Sequence, residues 1–439
     1  MMDLRKIEKP IGVSLIETIV RKVKERVPVL EKYRRLVDEK YLNAAEGCIR
    51  CVSCKMHHAE YNKGIKWGEL CPSGSYFKFE SYFALGRLDM IVGLIRGELT
   101  WTEGLLNSLY SCTTCGACNE ICDFMQEINP PGVELELDEP PRPLDVIEEF
   151  KAVGVIEGVG PLPAQKIFGE RIEKVHNPYG EPHEKRMAWW PEDLKRPPAK
   201  AKLMYFVGCT SSYRQIKIAQ ATVRIFDKLG LEFGVTPDEV CCGSPAFRSG
   251  QRSIGLKTLK RAVEVMAKAG AEKVVTSCAG CYRTLKRESE KYGIEVPFEV
   301  VHTMDILRER MNEIEFKREW RETVTYHDPC HMGRHMGYYE TPREVLRRIP
   351  GLKLVEMHRN RRWAWCCGAG GGVKAAFPKL ALWAAGERLW EAQDVGATSI
   401  VSICPFCNRN LSDAVPLVSP YVNIKVYDVT EIVWDTIKD

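Results

Sequence analysis

From Ala201 to the C-terminus, short apolar runs alternate with amphipathic stretches. Leu203-Met-Tyr-Phe-Val207, Lys273-Val-Val-Thr276, Val324-Thr-Tyr326 and Ser399-Ile-Val-Ser-Ile403 are rich in β-branched and aromatic side chains. Ile216 to Leu229 instead places its apolar residues at helical spacing. This alternation predicts parallel α/β units. Upstream the period is helical: Phe79, Phe83, Leu85, Leu88, Ile91, Leu94 and Ile95 mark a buried helical face within Ser75 to Tyr110. Residues 1–46 repeat the pattern through Ile7, Ile11, Ile16, Val20, Val23, Val27 and Leu30. Acidic and basic residues are nearly balanced there, which favours a helix packed on its own domain over one docked on a partner or a membrane surface. Between these regions, 129–200 holds 12 of the 25 prolines. That density predicts a linker or an extended wrapping arm. Phe168 and Trp189-Trp190 predict that parts of it pack on a surface.

The cysteines change the picture most. Cys209, Cys241-Cys242 and Cys278-Ala-Gly-Cys281 form a five-cysteine pattern, which recurs as Cys330, Cys366-Cys367 and Cys404-Pro-Phe-Cys407. The first gap holds 31 residues in one copy and 35 in the other; the second holds 35 and 36. Each adjacent pair precedes a glycine, Gly243 or Gly368. Neighbouring cysteines serve one tetrahedral zinc poorly but can serve two irons of one cluster, so the repeat predicts two iron–sulfur sites made by duplication. The first half uses ferredoxin spacing. Cys112, Cys115, Cys118 and Cys122 follow the C-x2-C-x2-C-x3-C run; Cys48, Cys51 and Cys54 begin another, whose fourth member is delayed to Cys71 before Pro72. In two-cluster ferredoxins the fourth cysteine crosses to the other cluster. By that rule Cys48, Cys51, Cys54 and Cys122 hold one cubane, and Cys71, Cys112, Cys115 and Cys118 hold the other. All 18 cysteines are then used, leaving no thiol pair for ordinary disulfide exchange.

Bulk properties narrow the class. A length of 439 residues suits two or three domains. A net charge of +4 gives no reason to expect nucleic acid as a partner. Ile11 to Val20 is interrupted by Glu17, no cleavage site follows, and no apolar run is long enough to span a bilayer. A cytoplasmic location is expected, peripheral to the inner face of the membrane where a partner holds it there. Reduced thiolate ligands fit this setting better than disulfides.

The repeat, with Cys241-Cys242-Gly243 and Cys366-Cys367-Gly368, resembles the cysteine-rich CCG domain, and Tyr326-His-Asp-Pro-Cys330-His-Met-Gly333 matches the same style. Two such domains behind a two-cluster ferredoxin module resemble the heterodisulfide reductase family. The resemblance implies an α+β chain: a mainly helical ferredoxin-like module at 47–128, after the helical segment 1–46, then the arm 129–200 and two Rossmann-like domains at 201–320 and 321–439. It further implies two cubane and two noncubane [4Fe–4S] clusters, each noncubane one held by a complete set of five cysteines. Both would face one cavity where a CoM-S-S-CoB-like disulfide is split, one sulfur to each cluster. Cys242 and Cys367 would then be central to the chemistry. The chain departs from the ferredoxin pattern in Asp123, where Pro is usual, and in the enlarged segment Lys55 to Leu70, which leaves His57 and His58 as substitutes for Cys71.

Other residues carry weaker signals. His327, His331 and His335 would align on a helix, and His331 is the candidate proton donor. Tyr213, Arg248 and Lys374 are candidate substrate contacts; Arg214 and Arg334 also lie near cysteines and could hold an anionic group. Gly368-Ala-Gly370-Gly371-Gly372 lacks the third glycine of a dinucleotide fingerprint, since Val373 stands there. It reads as a turn that lets backbone approach a cluster. Two functions fit: a disulfide reductase, or an electron-transfer protein linking a flavin dehydrogenase to a quinone or membrane cytochrome. Either needs a partner, a cytochrome b-type membrane subunit or a soluble flavoprotein, because no site for an electron-donating cofactor is visible.

Overall fold

A computed structural model describes residues 27–55, 65–122 and 141–438. Ile7 to Val23, His57, His58 and Asp123 lie outside them. Two four-stranded parallel sheets dominate the second half. Strands β1 (Leu203–Phe206), β2 (Phe233–Gly234), β3 (Lys273–Thr276) and β4 (Glu299–His302) lie in the order β2-β1-β3-β4. Strands β5 (Thr323–Tyr326), β6 (Lys353–Val355), β7 (Ser399–Ser402) and β8 (Lys425–Asp428) repeat it as β6-β5-β7-β8. Parallel pairing forces a crossover between neighbours, and helices such as Ile216–Lys228, Arg252–Lys268 and Pro378–Asp394 supply it. One core joins the sheets, with Met204, Phe206 and Val274 in the same cluster as Val324, Tyr326 and Val401.

This topology locates the chemistry. In both sheets the strand order reverses at the two central strands, β1 and β3 or β5 and β7, while all strands run parallel. That switch point leaves a crevice at the carboxyl edge. Cys209 and Cys278 follow β1 and β3; Cys330 and Cys404 follow β5 and β7.

The first half is helical, as its period predicts. Helix 27–36 and helix Glu39–Glu46 bury Tyr33, Val37 and Leu42 against Ala84–Ile95. The N-terminal segment thus packs on its own domain over the part described, although Val27 itself is exposed. The proline-rich region departs from expectation. It contains helices Pro143–Ile156 and Pro163–Val175 and is not an extended arm. Pro143 and Pro163 open these helices at the first position, where the missing N–H costs nothing. Trp189 and Trp190 are buried against the first sheet, Trp189 edge-on to Tyr205. No described helix is long and apolar enough to cross a membrane.

Candidate functional site

All ten cysteines of the repeat line one cavity, together with Phe168, Tyr179, His331 and Lys374. Two local devices aim them, and both occur twice. After each Cys-Cys pair the glycine turns left-handed, φ 89° at Gly243 and 88° at Gly368. A Cβ there would lie 2.8 Å from the Gly255 or Ala381 carbonyl oxygen, so only glycine fits. Its N–H folds back on the sulfur of Cys241 or Cys366 at 3.4 Å. Cys278 and Cys404 each stand in extended conformation just before a helix, Ala279–Arg283 or Pro405–Val418, which carries the second cysteine of the pair.

The thiols crowd together. Cys241 and Cys281 hold Cys242 well below the usual thiol range by hydrogen bonding, and Cys366 and Cys407 do the same for Cys367. The two sets meet where the Cys278 and Cys404 thiols lie side by side. None of the 18 cysteines is in a disulfide.

The other eight form two further groups. Cys48, Cys51, Cys54 and Cys122 line one pocket near the surface, with Ile49 and Val52 exposed beside them. Cys71 lies near Cys112 and Cys115, and Cys118 near all three. The two groups adjoin, since Cys54 also lies near Cys71 and Cys118. Burial pushes Cys54 up to about 12 and Cys71 up to about 11. Such thiols stay protonated at neutral pH unless a cation binds them, which suits a metal-cluster donor set.

The inner group touches the repeat. The Cys115 thiol lies beside that of Cys366. His335 Nε2 lies 3.1 Å from the Thr114 carbonyl, and Gln165 Nε2 donates to the carbonyls of Tyr110 and Gly371. The glycine run makes this contact possible: a Cβ on Gly370 or Gly371 would fall 2.4 Å from Thr113 O or 2.2 Å from Cys112 O. The run is thus the close-approach turn expected, against backbone of the other cysteine module.

The weaker candidates divide. His331 lines the cavity with a buried Nε2 that has no partner. Burial, reinforced by Arg283 and Arg248, holds it well below the usual imidazole range, so it is neutral. The three histidines do not share a helix face. His331 and His335 pack edge to face, 5.4 Å between ring centroids, but His327 lies apart. Its Nδ1 accepts from Arg388 and its ring sits within 4.8 Å of the Cys367 and Cys407 sulfurs. Lys374 reaches the cavity wall while bound to Asn410 and Asp413. Arg248 also reaches it, but its guanidinium is tied to Glu148 and Glu288. Tyr213 does not line the cavity; it packs beside Cys209 under Arg186. Arg214 pairs with Glu181, and Arg334 turns to the Cys115 carbonyl.

Sequence reading missed three contributors. Tyr179, bonded to Thr210 at 2.8 Å, takes the place expected of Tyr213. Phe168 joins it from the proline-rich region. Arg186, fully buried, donates to Cys209 Sγ at 3.7 and 3.8 Å and pairs with Glu239, whose carboxylate accepts the N–H groups of Val207 and Gly208. No local signal marks these residues, because each acts on a distant segment.

Comparison with known proteins agrees with this geometry. The cysteine-rich domain family matches residues 203–286 and 324–412, and the 4Fe-4S dicluster domain family matches 44–125. The D subunit of the dihydromethanophenazine:CoB–CoM heterodisulfide reductase of Methanosarcina acetivorans is 37% identical over 90% of this chain and 96% of its own length. Its counterpart in Methanosarcina mazei is 36% identical over the same shares. The B subunit of the CoM/CoB fumarate reductase of Methanothermobacter marburgensis is 31% identical over 91% of this chain and 74% of its own. The chain is an iron–sulfur oxidoreductase and belongs to the family of heterodisulfide reductase D subunits.

Proposed function

We propose that this chain is the disulfide-cleaving subunit of an electron-transfer complex, acting on a CoM-S-S-CoB-like heterodisulfide. The observation that carries this reading is the single cavity shared by all ten cysteines of the repeat. A relay would need no such chamber. Each five-cysteine set would hold a noncubane [4Fe–4S] cluster. Cys48, Cys51, Cys54 and Cys122 would hold the outer cubane, and Cys71, Cys112, Cys115 and Cys118 the inner one. When bound, the clusters supply electrons one at a time and soft iron sites suited to sulfur.

The protein's own groups do the rest. The Cys115–Cys366 contact joins the ferredoxin-like module to the second set, and Cys278–Cys404 joins the two sets. Phe168 and Tyr179 contribute aromatic surface to the cavity wall from the proline-rich region. Neutral His331 offers a ring nitrogen to a departing sulfur, and Lys374 offers a charge to an acidic substrate tail. Arg248 is held by two carboxylates and serves the frame. The electron donor docks as a separate partner, of cytochrome b or flavoprotein type.

Anaerobic assay with reduced viologen tests this. Turnover of the CoM–CoB heterodisulfide, with two thiols formed per disulfide, is expected. Full cluster content with no turnover of that or simpler disulfides, but rapid reduction of a quinone-linked partner, would establish the relay instead.

A further inference from the structure

Three cations surround the inner cysteine set, each from a different part of the chain. Arg87, 1% exposed, donates Nε to Ser108 O at 2.8 Å and Nη2 to the Ser73 and Ser111 hydroxyls at 2.6 and 3.1 Å. Its charge faces Cys71. Lys151, 0% exposed, comes from helix Pro143–Ile156 and donates Nζ to Cys112 O at 2.9 Å. Arg334, from the short helix Gly333–Met336 after Cys330, donates Nε to Cys115 O at 2.8 Å. Its Nη2 is buried without a partner, and its charge faces Cys115, Cys330 and Cys366. Among the described residues, none of the three makes an ion pair with a carboxylate, although Glu148 lies near enough to Lys151 to act on its charge.

A buried charge without a counter-charge costs several kcal/mol. Three of them around one site imply an anion there, and a cubane on four thiolates is one. Its negative charge grows by one on reduction, so a nearby cation favours the reduced form and raises the potential. Beside the outer set, Arg50 is exposed and pairs with Asp89 at 2.6 Å.

We propose that Arg87, Lys151 and Arg334 are positioning residues that set the reduction potential of the inner cluster, and that Arg334 alone also acts on the second five-cysteine site. The inference rests on the cluster assignment above, but not on the disulfide chemistry. All three act by charge, and Lys151 and Arg334 also fix the Cys112 and Cys115 carbonyls.

The test is an anaerobic redox titration followed by EPR on the full chain and on Lys151→Met, Arg334→Gln and Arg334→Lys, after iron counting. Lys151→Met and Arg334→Gln should shift the inner cubane midpoint to more negative potential. The outer cubane should stay in place, and only Arg334→Gln should also move the second noncubane signal. Arg334→Lys, which keeps the charge, should stay near the wild-type value. If Arg334→Gln fails to load iron, Lys151→Met and Arg334→Lys decide. An unmoved midpoint in Lys151→Met, or a shift in Arg334→Lys as large as that in Lys151→Met, would overturn the proposal. Wild-type protein that loads fully yet turns over no disulfide, alongside variants that show these shifts, would refute the enzyme reading and leave this one intact.

Discussion

Arg186 has both its charge and its counter-charge out of water, and its nitrogens meet the sulfur of Cys209. Removing one member of a buried ion pair strands the other, at about 3–5 kcal/mol. Arg186→Met should therefore lose about that much stability by denaturant unfolding, and should load less iron at the first five-cysteine site than at the second. His302 gives a pH prediction. It is fully buried, its Nε2 lies 3.2 Å from Ile403 O, and its Nδ1 accepts from Met304 N. Burial pushes its pKa down to about 4 from an ordinary value near 6.5. Below about pH 6.5 the unfolded chain then binds a proton that the folded chain refuses, so stability is complete above that pH and falls as pH drops toward 4. Over that window the loss attributable to His302 is about 3 kcal/mol at most. His302→Gln should flatten the slope of unfolding free energy against pH between 4 and 6.5.

At the scale of elements, the contact between the glycine run and the inner cysteine turn is the joint that matters. Gly371 has φ 65°, and an added Cβ would press on the Cys112 carbonyl, which is backbone and cannot move aside. Gly371→Ala should cost about 1 kcal/mol for the conformation alone, with more from the clash. It should slow the passage of electrons from the cubanes to the repeat in stopped-flow reduction, with cubane content unchanged. The same joint shows what the sequence could convey. The glycine run was legible as a close-approach turn, but not its partner, since Gln165 and Gly371 are 206 residues apart. The four central strands were legible because each is a short, nearly continuous buried apolar run. Their neighbours were not: β2 is two residues long, and β4, β6 and β8 each begin with an exposed charged residue. The prolines misled for a definite reason. A count of prolines cannot tell one that breaks a helix from one that opens it, and Pro143 and Pro163 do the latter.

At the scale of the molecule, two similar sheets bring their cysteines to one chamber, and the helical module contacts one side of it. The two three-cysteine runs of the N-terminal half were legible from spacing, a local property, while the crossing of the fourth cysteine came from the rule for two-cluster ferredoxins. The site around Arg186, Phe168 and Tyr179 was not, because it is assembled from the arm and the repeat together. With every cysteine assigned, well-reconstituted protein should contain about sixteen irons per chain and no stoichiometric zinc. Eight irons accompanied by zinc would mean that the repeat holds something else. The central claim is that both five-cysteine sites are needed at once, since cleaving a disulfide produces two thiolates and the chamber offers two matching sets. The direct measurement is heterodisulfide turnover by Cys242→Ser and Cys367→Ser, each prepared anaerobically with its EPR spectrum recorded. Each variant should lose one noncubane signal and essentially all disulfide reduction while keeping both cubane signals. Full turnover by either variant would contradict the account.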